Sequence, residues 1–346
     1  KSVTDANSCT RTSGFTSGTA IIKINPLPQG SISSNGPLCG PGTGKLKFSA
    51  SSGTGPFSIV YNDGTADRSV NGINSGDWIE TAVNPLTVTT VFTLKKITDA
   101  SLCERTGDFE GTTATINIKP VPSVTSSSNI SLCSGSQLNY DITSEVAGSL
   151  FLWSRAAVAG IDNAAVEAQT ADPVTEVLVN STDAPLNVVY RINAVADGCT
   201  GPEFIYTVTV NNKPRLFVNS PDPVCRPASV DITSSAIYTG STSGLVYSFW
   251  TDSAATLPYE TPQQTIFGKY FIKGTSAEGC SDIKAVNVTV HESPVVRITD
   301  PDPVCSPARV NITEERIVSG SSPGLAYSFW LDDQASHEFA NPSEAI

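Results

Sequence analysis

The sequence predicts an all-β chain of tandem β-sandwich units, on three observations. A motif set recurs at a fixed offset, cysteines and prolines mark the start and end of each recurrence, and the apolar residues between them alternate with period two.

The repeat is sharpest in the C-terminal third. Pro221-Asp222-Pro223-Val224-Cys225 returns as Pro301-Asp302-Pro303-Val304-Cys305. Gly244-Leu245 with Tyr247-Ser248-Phe249-Trp250 returns as Gly324-Leu325 with Tyr327-Ser328-Phe329-Trp330. The offset is 80 at both places (305 − 225; 330 − 250). A looser repeat covers the rest. Units open on an apolar residue and a cysteine: Leu38-Cys39, Leu132-Cys133, Val224-Cys225, Val304-Cys305. They close on an alternating strand and a proline: Ile22-Lys23-Ile24-Asn25-Pro26, Ile116-Asn117-Ile118-Lys119-Pro120, Val208-Thr209-Val210 before Pro214, and Val288-Thr289-Val290 before Pro294. Proline fixes φ and removes a backbone donor, so it ends a strand and stiffens the joint. The expected units are therefore 27–120, 121–214 and 215–293, with 1–26 the C-terminal end of a truncated unit and 294–346 the N-terminal part of another. No Gly/Ser-rich linker separates them, which predicts a semi-rigid string.

Within units the strands read clearly. Val188, Tyr190, Ile192 and Ala194 share one face, with Arg191 and Asn193 on the other. Tyr206–Val210 and Val286–Val290 alternate in the same way, and Phe57–Tyr61 runs into Asn62-Asp63-Gly64, a hairpin signal. Phe151-Leu152-Trp153 and Tyr247–Trp250 supply an aromatic strand near the middle of their units. No stretch sustains a helical period, although Ala156 to Val166 has room for a helical turn or two. Units of this length suit about seven short strands in two packed sheets, the immunoglobulin-like (Ig-like) sandwich.

Composition narrows the function classes. Lys+Arg 21 against Asp+Glu 33 gives a net charge of -12, which excludes a nucleic-acid partner, since phosphate neutralisation needs a basic face. No apolar run reaches the roughly 18 residues of a membrane span. The chain has no Met and no visible signal peptide, so an export signal or anchor is expected outside this segment.

Eight cysteines fit the repeat frame. It pairs them as Cys39–Cys103, Cys133–Cys199 and Cys225–Cys280, one disulfide inside each complete unit, and leaves Cys9 and Cys305 unpaired by truncation. No C-x-x-C spacing suggests zinc, and regular placement favours disulfides of an oxidising compartment over buried free thiols.

Other candidate sites are thin. His291 and His337 are the two histidines, and neither has a nucleophile motif beside it, so no enzyme activity is expected. No cofactor is expected either. The alternative is structural calcium at Asn62, Asp63 and Asp67 or at Asp222 and Asp302, but no D-x-D-x-D-G run exists and Asn-Asp-Gly reads first as a turn. Tyr259 and Phe267 are aromatics able to touch a glycan, against the simpler reading as core.

The unit from Pro122 to Pro214 resembles the PKD-like domains of very large surface proteins of gliding Bacteroidota. The resemblance lies in Leu132-Cys133-Ser134-Gly135, Leu152-Trp153-Ser154-Arg155-Ala156, Val177-Leu178-Val179-Asn180, Val189-Tyr190 and Gly198-Cys199-Thr200-Gly201. The later units resemble Ig-like repeats of the same proteins through Tyr270-Phe271-Ile272-Lys273 and Glu278-Gly279-Cys280-Ser281-Asp282. SprB-like gliding adhesins are the nearest kind. The resemblance implies type IX secretion, display on the outer-membrane exterior, and a non-catalytic stalk role in surface adhesion and gliding motility. The implied partners are cell-surface or substratum ligands, including glycans, and the motility and secretion machinery acting through the parent protein. Asp252-Ser253-Ala254 is similar to the short O-glycan acceptor pattern of this phylum, which makes Ser253 a candidate modification site. Two alternatives remain open: a spacer array of a secreted polysaccharide-degrading enzyme, and a self-assembling surface-layer or filament protein.

Overall fold

A computed structural model describes residues 2–15 and 20–346; Lys1 and residues 16–19, which fall in the expected end-piece 1–26, lie outside the described residues. The fold is all-β as expected, with 3-10 turns and no α-helix among the described residues. Ala156 to Ala165 forms loop and turns, and the strand Val166–Gln169 follows.

Three separate hydrophobic cores form among the described residues. In the first, a sheet of Gln29–Ser34, Lys45–Ser52 and Trp78–Glu80 faces a second built on Phe57–Asn62, Asp67–Ile73, Thr90–Thr98 and Thr113–Ile116. All these strands pair antiparallel, with their alternate residues turned inward. Leu46, Phe48, Ile59, Tyr61, Phe92 and Ile116 fill the space between. Phe57–Asn62 and Asp67–Ile73 form the hairpin that Asn62-Asp63-Gly64 announced.

The second core rests on the sheet Asn129–Cys133, Phe204–Asn211, Leu186–Ala196, Leu150–Arg155 and Val166–Gln169. Gln137–Tyr140 and Val174–Val177 pair on the opposite side. Val188, Tyr190, Ile192 and Ala194 all point into it, as their alternation required. Burying a side chain such as Val188 or Ile192 fully contributes about 1.5–3 kcal/mol.

The third core packs Val246–Trp250, Gly268–Thr275 and Ser281–Val288 over Val230, Ile232 and Ile237. There Val218, Ile232, Ile237, Tyr247 and Phe249 belong to or pack against one cluster with Ile272, Val286 and Val288. The 80-residue counterparts of those five (Ile298, Ile312, Ile317, Tyr327 and Phe329) instead line an open apolar trough of about 380 Å³.

Each core shares one signature. Its opening cysteine lies on a two-residue or longer strand that runs parallel to the end of its closing strand. Leu38–Cys39 pairs with Ile118–Lys119, Leu132-Cys133 with Val210-Asn211, and Val224–Cys225 with Val290–His291.

One expected strand is missing. Residues 20–28 have no strand, and Ile21, Ile22 and Ile24 are exposed. An alternating segment becomes a strand only where a neighbour pairs its backbone, and among the described residues no strand pairs with this one. The hairpin Val3–Thr4 with Thr10–Arg11, which carries Cys9, forms a two-stranded sheet of its own among the described residues.

Candidate functional site

The chain's most built feature is the junction between successive cores. Two disulfides are present, Cys39–Cys199 and Cys133–Cys280, with Cα–Cα distances of 5.5 Å in both. The first joins the first core to the second, and the other joins the second to the third. The expected pairs Cys39–Cys103, Cys133–Cys199 and Cys225–Cys280 are therefore corrected: Cys103 and Cys225 are free thiols, as are Cys9 and Cys305.

The reason is the length of a strand. In the second unit Cys133 lies opposite Asn211, where the chain leaves the core, and Leu186 pairs with Val210 close by. Leu186–Ala196 then runs 11 residues to the other pole, where Ala196 pairs with Cys199. At about 3.3 Å per residue this separates the two cysteines of one unit by roughly 30 Å. A disulfide needs Cα atoms within about 7 Å. The cysteine at the exit pole of one unit instead meets the cysteine at the entry pole of the next.

Cys199 and Cys280 occupy equivalent hairpin tips. Gly198 and Gly279 precede them with φ of 81° and 82°, a left-handed turn that suits glycine. Lysine fastens both junctions from the residue before the boundary proline. Lys119 Nζ donates to the Asp197 carbonyl oxygen at 2.6 Å, and Lys213 Nζ pairs with Asp282 Oδ1 at 3.1 Å. Beside the first disulfide, a Cβ on Gly201 would lie 1.7 Å from the Pro122 carbonyl oxygen, so only glycine lets the hairpin seat there. The Cys199 and Cys280 residues are buried, whereas Cys39 lies at the surface.

Several of the remaining predicted positions have structural employment. Asp63 has a side chain only 5% exposed. It accepts from the Thr65 hydroxyl at 2.6 Å, the Thr65 and Ala66 N–H groups at 2.9 and 2.8 Å, and Arg68 Nε at 2.8 Å. The Thr65 hydroxyl first, then Arg68 and the two amides, hold its carboxyl well below the usual range, against the opposing effect of burial. Asn62 Nδ2 donates to Asp67 Oδ1 at 2.7 Å. The turn offered as a cation site thus spends its oxygens on itself.

A carboxylate of this kind stabilises the fold above its unfolded pKa near 3.9 and loses that contribution as pH falls through the lowered folded value. Asp63→Asn is expected to cost about 1.5–3 kcal/mol at neutral pH, the worth of hydrogen bonds to a charged group. The gap between wild type and variant should close as the pH is taken well below 4, measured by thermal unfolding across a pH series.

Ser253 is exposed at a loop tip. Its neighbour Asp252 accepts from the amides of Ala254, Thr256 and Leu257. Asp332, 80 residues on, does the same for Gln334, Ser336 and His337. The aspartate of the acceptor pattern is accounted for by this turn. Asp302 pairs with Arg316 at 3.1 Å, and the Asp222 carboxylate lies far along the chain from the Asn62 turn. His291 lies on the parallel strand opposite Cys225, and exposed His337 contacts Asp332 at 3.1 Å. Tyr259 packs on Tyr270 against the third core, with ring centroids 4.4 Å apart, whereas Phe267 is 70% exposed.

Sequence reasoning passed over a buried ion pair in the second core. Arg155, with its side chain 1% exposed, reaches Glu176 through Nε to Oε2 at 3.0 Å and Nη2 to Oε1 at 2.8 Å. Its Nη2 also donates to the Ala164 carbonyl oxygen at 2.7 Å, and the Tyr190 hydroxyl donates to Glu176. Burial first, then the Glu176 carboxylate, push the Tyr190 phenol far above its ordinary value, so it stays a donor at any working pH. The neighbouring Tyr206 stacks near Tyr140, whose ring centroid is 3.7 Å away, and burial raises its phenol to about 12. The signal was available: Phe151, Trp153 and Arg155 are alternate residues of one strand, so Arg155 faces inward with the aromatics.

Residues 130–214 match the family model of a PKD-like domain. No curated protein sequence matches the chain. Among solved structures it is similar to immunoglobulin domains 1–5 of Sidekick-1, at 13% identity, covering 78% of this chain and 60% of that one, with a TM-score of 0.33. It is also similar, at 12% identity, to a Ca2+-stabilized adhesin that helps an Antarctic bacterium reach out and bind ice, with 78% and 77% covered and a TM-score of 0.31. The insect immune protein hemolin is similar at 10% identity, with 80% of each chain covered and a TM-score of 0.30.

Proposed function

We propose that the chain is a non-catalytic stalk segment of a large secreted surface adhesin, made of Ig-like and PKD-like units whose job is mechanical. The observation that supports this most is the repeated covalent staple at the junctions, Cys39–Cys199 and Cys133–Cys280. A string of sandwiches bends and gives at its joints, and these joints carry a disulfide, a lysine contact and a proline. Disulfides belong to an oxidising compartment, which supports display outside the cell. The PKD-like match over 130–214 agrees with this reading. The finer reading places the parent on the outer-membrane exterior, exported by type IX secretion and serving gliding motility, with Ser253 open to O-glycosylation. Many such units in one parent give multivalent contact with surface ligands or glycans.

The test uses an antibody raised against residues 27–293, coupled to beads and applied to living source cells. Beads carried along the surface are expected for a motile adhesin. Beads that bind and stay put remove the motility part. Antigen found in the medium with no bead attachment overturns the adhesin reading and favours a spacer array of a secreted enzyme.

A further inference from the structure

The free cysteines Cys103 and Cys225 occupy the same two local settings as the bonded ones. Each exit-pole cysteine is followed by an amide that bonds the closing strand. Gly40 N–H donates to the Lys119 carbonyl oxygen at 2.8 Å, Ser134 N–H to that of Asn211 at 2.8 Å, and Arg226 N–H to that of His291 at 2.9 Å. Cys225 therefore stands at the exit of the third unit as Cys39 and Cys133 stand at the exits of theirs, and it is exposed.

The entry-pole cysteines form a second set. Cys9, Cys103, Cys199 and Cys280 each follow a residue of positive φ: Ser8 (70°), Leu102 (59°), Gly198 (81°) and Gly279 (82°). Three of the hairpins close with the same bond into the cysteine carbonyl oxygen, from Asp5 N–H at 3.1 Å, Asp99 N–H at 3.1 Å and Ser276 N–H at 2.8 Å. Ser8 and Leu102 accept a left-handed backbone that disfavours side chains. The same hairpin is thus kept around Cys9 and Cys103 without glycine. Cys103 lies at the entry pole of its unit: Arg105 Nε, two residues on, donates to the Pro28 carbonyl oxygen at 2.7 Å.

We infer that the staple is one rule applied at every junction: the exit-pole cysteine of a unit bonds the entry-pole cysteine of the unit that follows. Cys225 is a cross-linking site for the hairpin cysteine of the next unit, and Cys103 for the strand cysteine of the preceding one. In forming each bond, two thiols give up two protons and two electrons to a disulfide oxidant such as oxidised glutathione, which becomes two thiols. The rule assigns Cys9 and Cys305 to the same two sets, and it holds whether or not the parent is an adhesin.

The test inserts a second copy of residues 215–294 between Pro294 and Val295 of the full chain, so that the new junction keeps its boundary proline. The copy carries Glu278→Asp as a mass mark beside its Cys280. After refolding with oxidised and reduced glutathione, disulfides are mapped by mass spectrometry without reduction. The expected new bond joins the original Cys225 to the marked Cys280, while Cys39–Cys199 and Cys133–original Cys280 persist. A marked Cys280 that is bonded to its own unit's Cys225, or that remains a free thiol while the other two bonds form, overturns the rule. An Ile272→Ala change in the copy, which loosens its core, separates misfolding from misassignment: the new bond should then fall in yield without changing partner.

Discussion

Fully stretched, the oxidised chain is expected to span only about 220–240 Å between Cys39 and Cys280, against about 800–870 Å once both disulfides are reduced, at 3.3–3.6 Å per residue. The shortest covalent route between those residues crosses Cys39–Cys199, runs back along the chain to Cys133 and crosses to Cys280, which spans 66 residues (199 − 133) instead of 241 (280 − 39). Single-molecule pulling with and without reductant reads the difference directly. Cys133→Ser lengthens the oxidised route only to 81 residues (280 − 199), because Cys39–Cys199 still bridges. A stretched span nearer roughly 400 Å from that variant would mean bonds closed within units. The two overlapping loops also constrain the unfolded chain. With sequence separations of 160 and 147, each is worth about 5 kcal/mol in the chain-entropy model.

Arg155→Ala is expected to destabilise the second unit by about 3–5 kcal/mol, because it strands the Glu176 carboxylate in the core. Arg155 neutralises that carboxylate through two hydrogen bonds, and Tyr190 supplies a third. The combined change Arg155→Met, Glu176→Leu, Tyr190→Phe removes every side-chain member of the network together. It should recover most of the loss and can exceed wild type by about 1–4 kcal/mol. Denaturant unfolding of the three proteins checks this. A single Arg155→Ala variant as stable as wild type would show that water reaches Glu176 and that the pair is not buried in solution.

The repeats, the alternating strands and the three cores were legible in the sequence because each rests on local periodicity. Val188 to Ala194 alternate and are buried in alternation, and the Asn62 turn folds into a hairpin. The cysteine partners were not legible from the repeat frame, because a frame says which cysteines are equivalent and not at which pole each one lies. The missing step was the length of Leu186–Ala196, which carries the chain from one pole to the other just before Cys199. Arg155 was hidden by its charge, although its place in the alternation of Leu150–Arg155 already faced it inward. Ile22-Lys23-Ile24 read as a strand and is not one, since pairing depends on a neighbour that periodicity does not report.

The most direct test of the junction-stapled stalk is a disulfide map of the 346-residue chain produced by itself and refolded oxidatively, with free thiols alkylated before digestion. Linked peptides Cys39–Cys199 and Cys133–Cys280, with label on Cys9, Cys103, Cys225 and Cys305, are the predicted result. Linked peptides Cys39–Cys103, Cys133–Cys199 and Cys225–Cys280 would contradict it and return the staples to the interior of each unit.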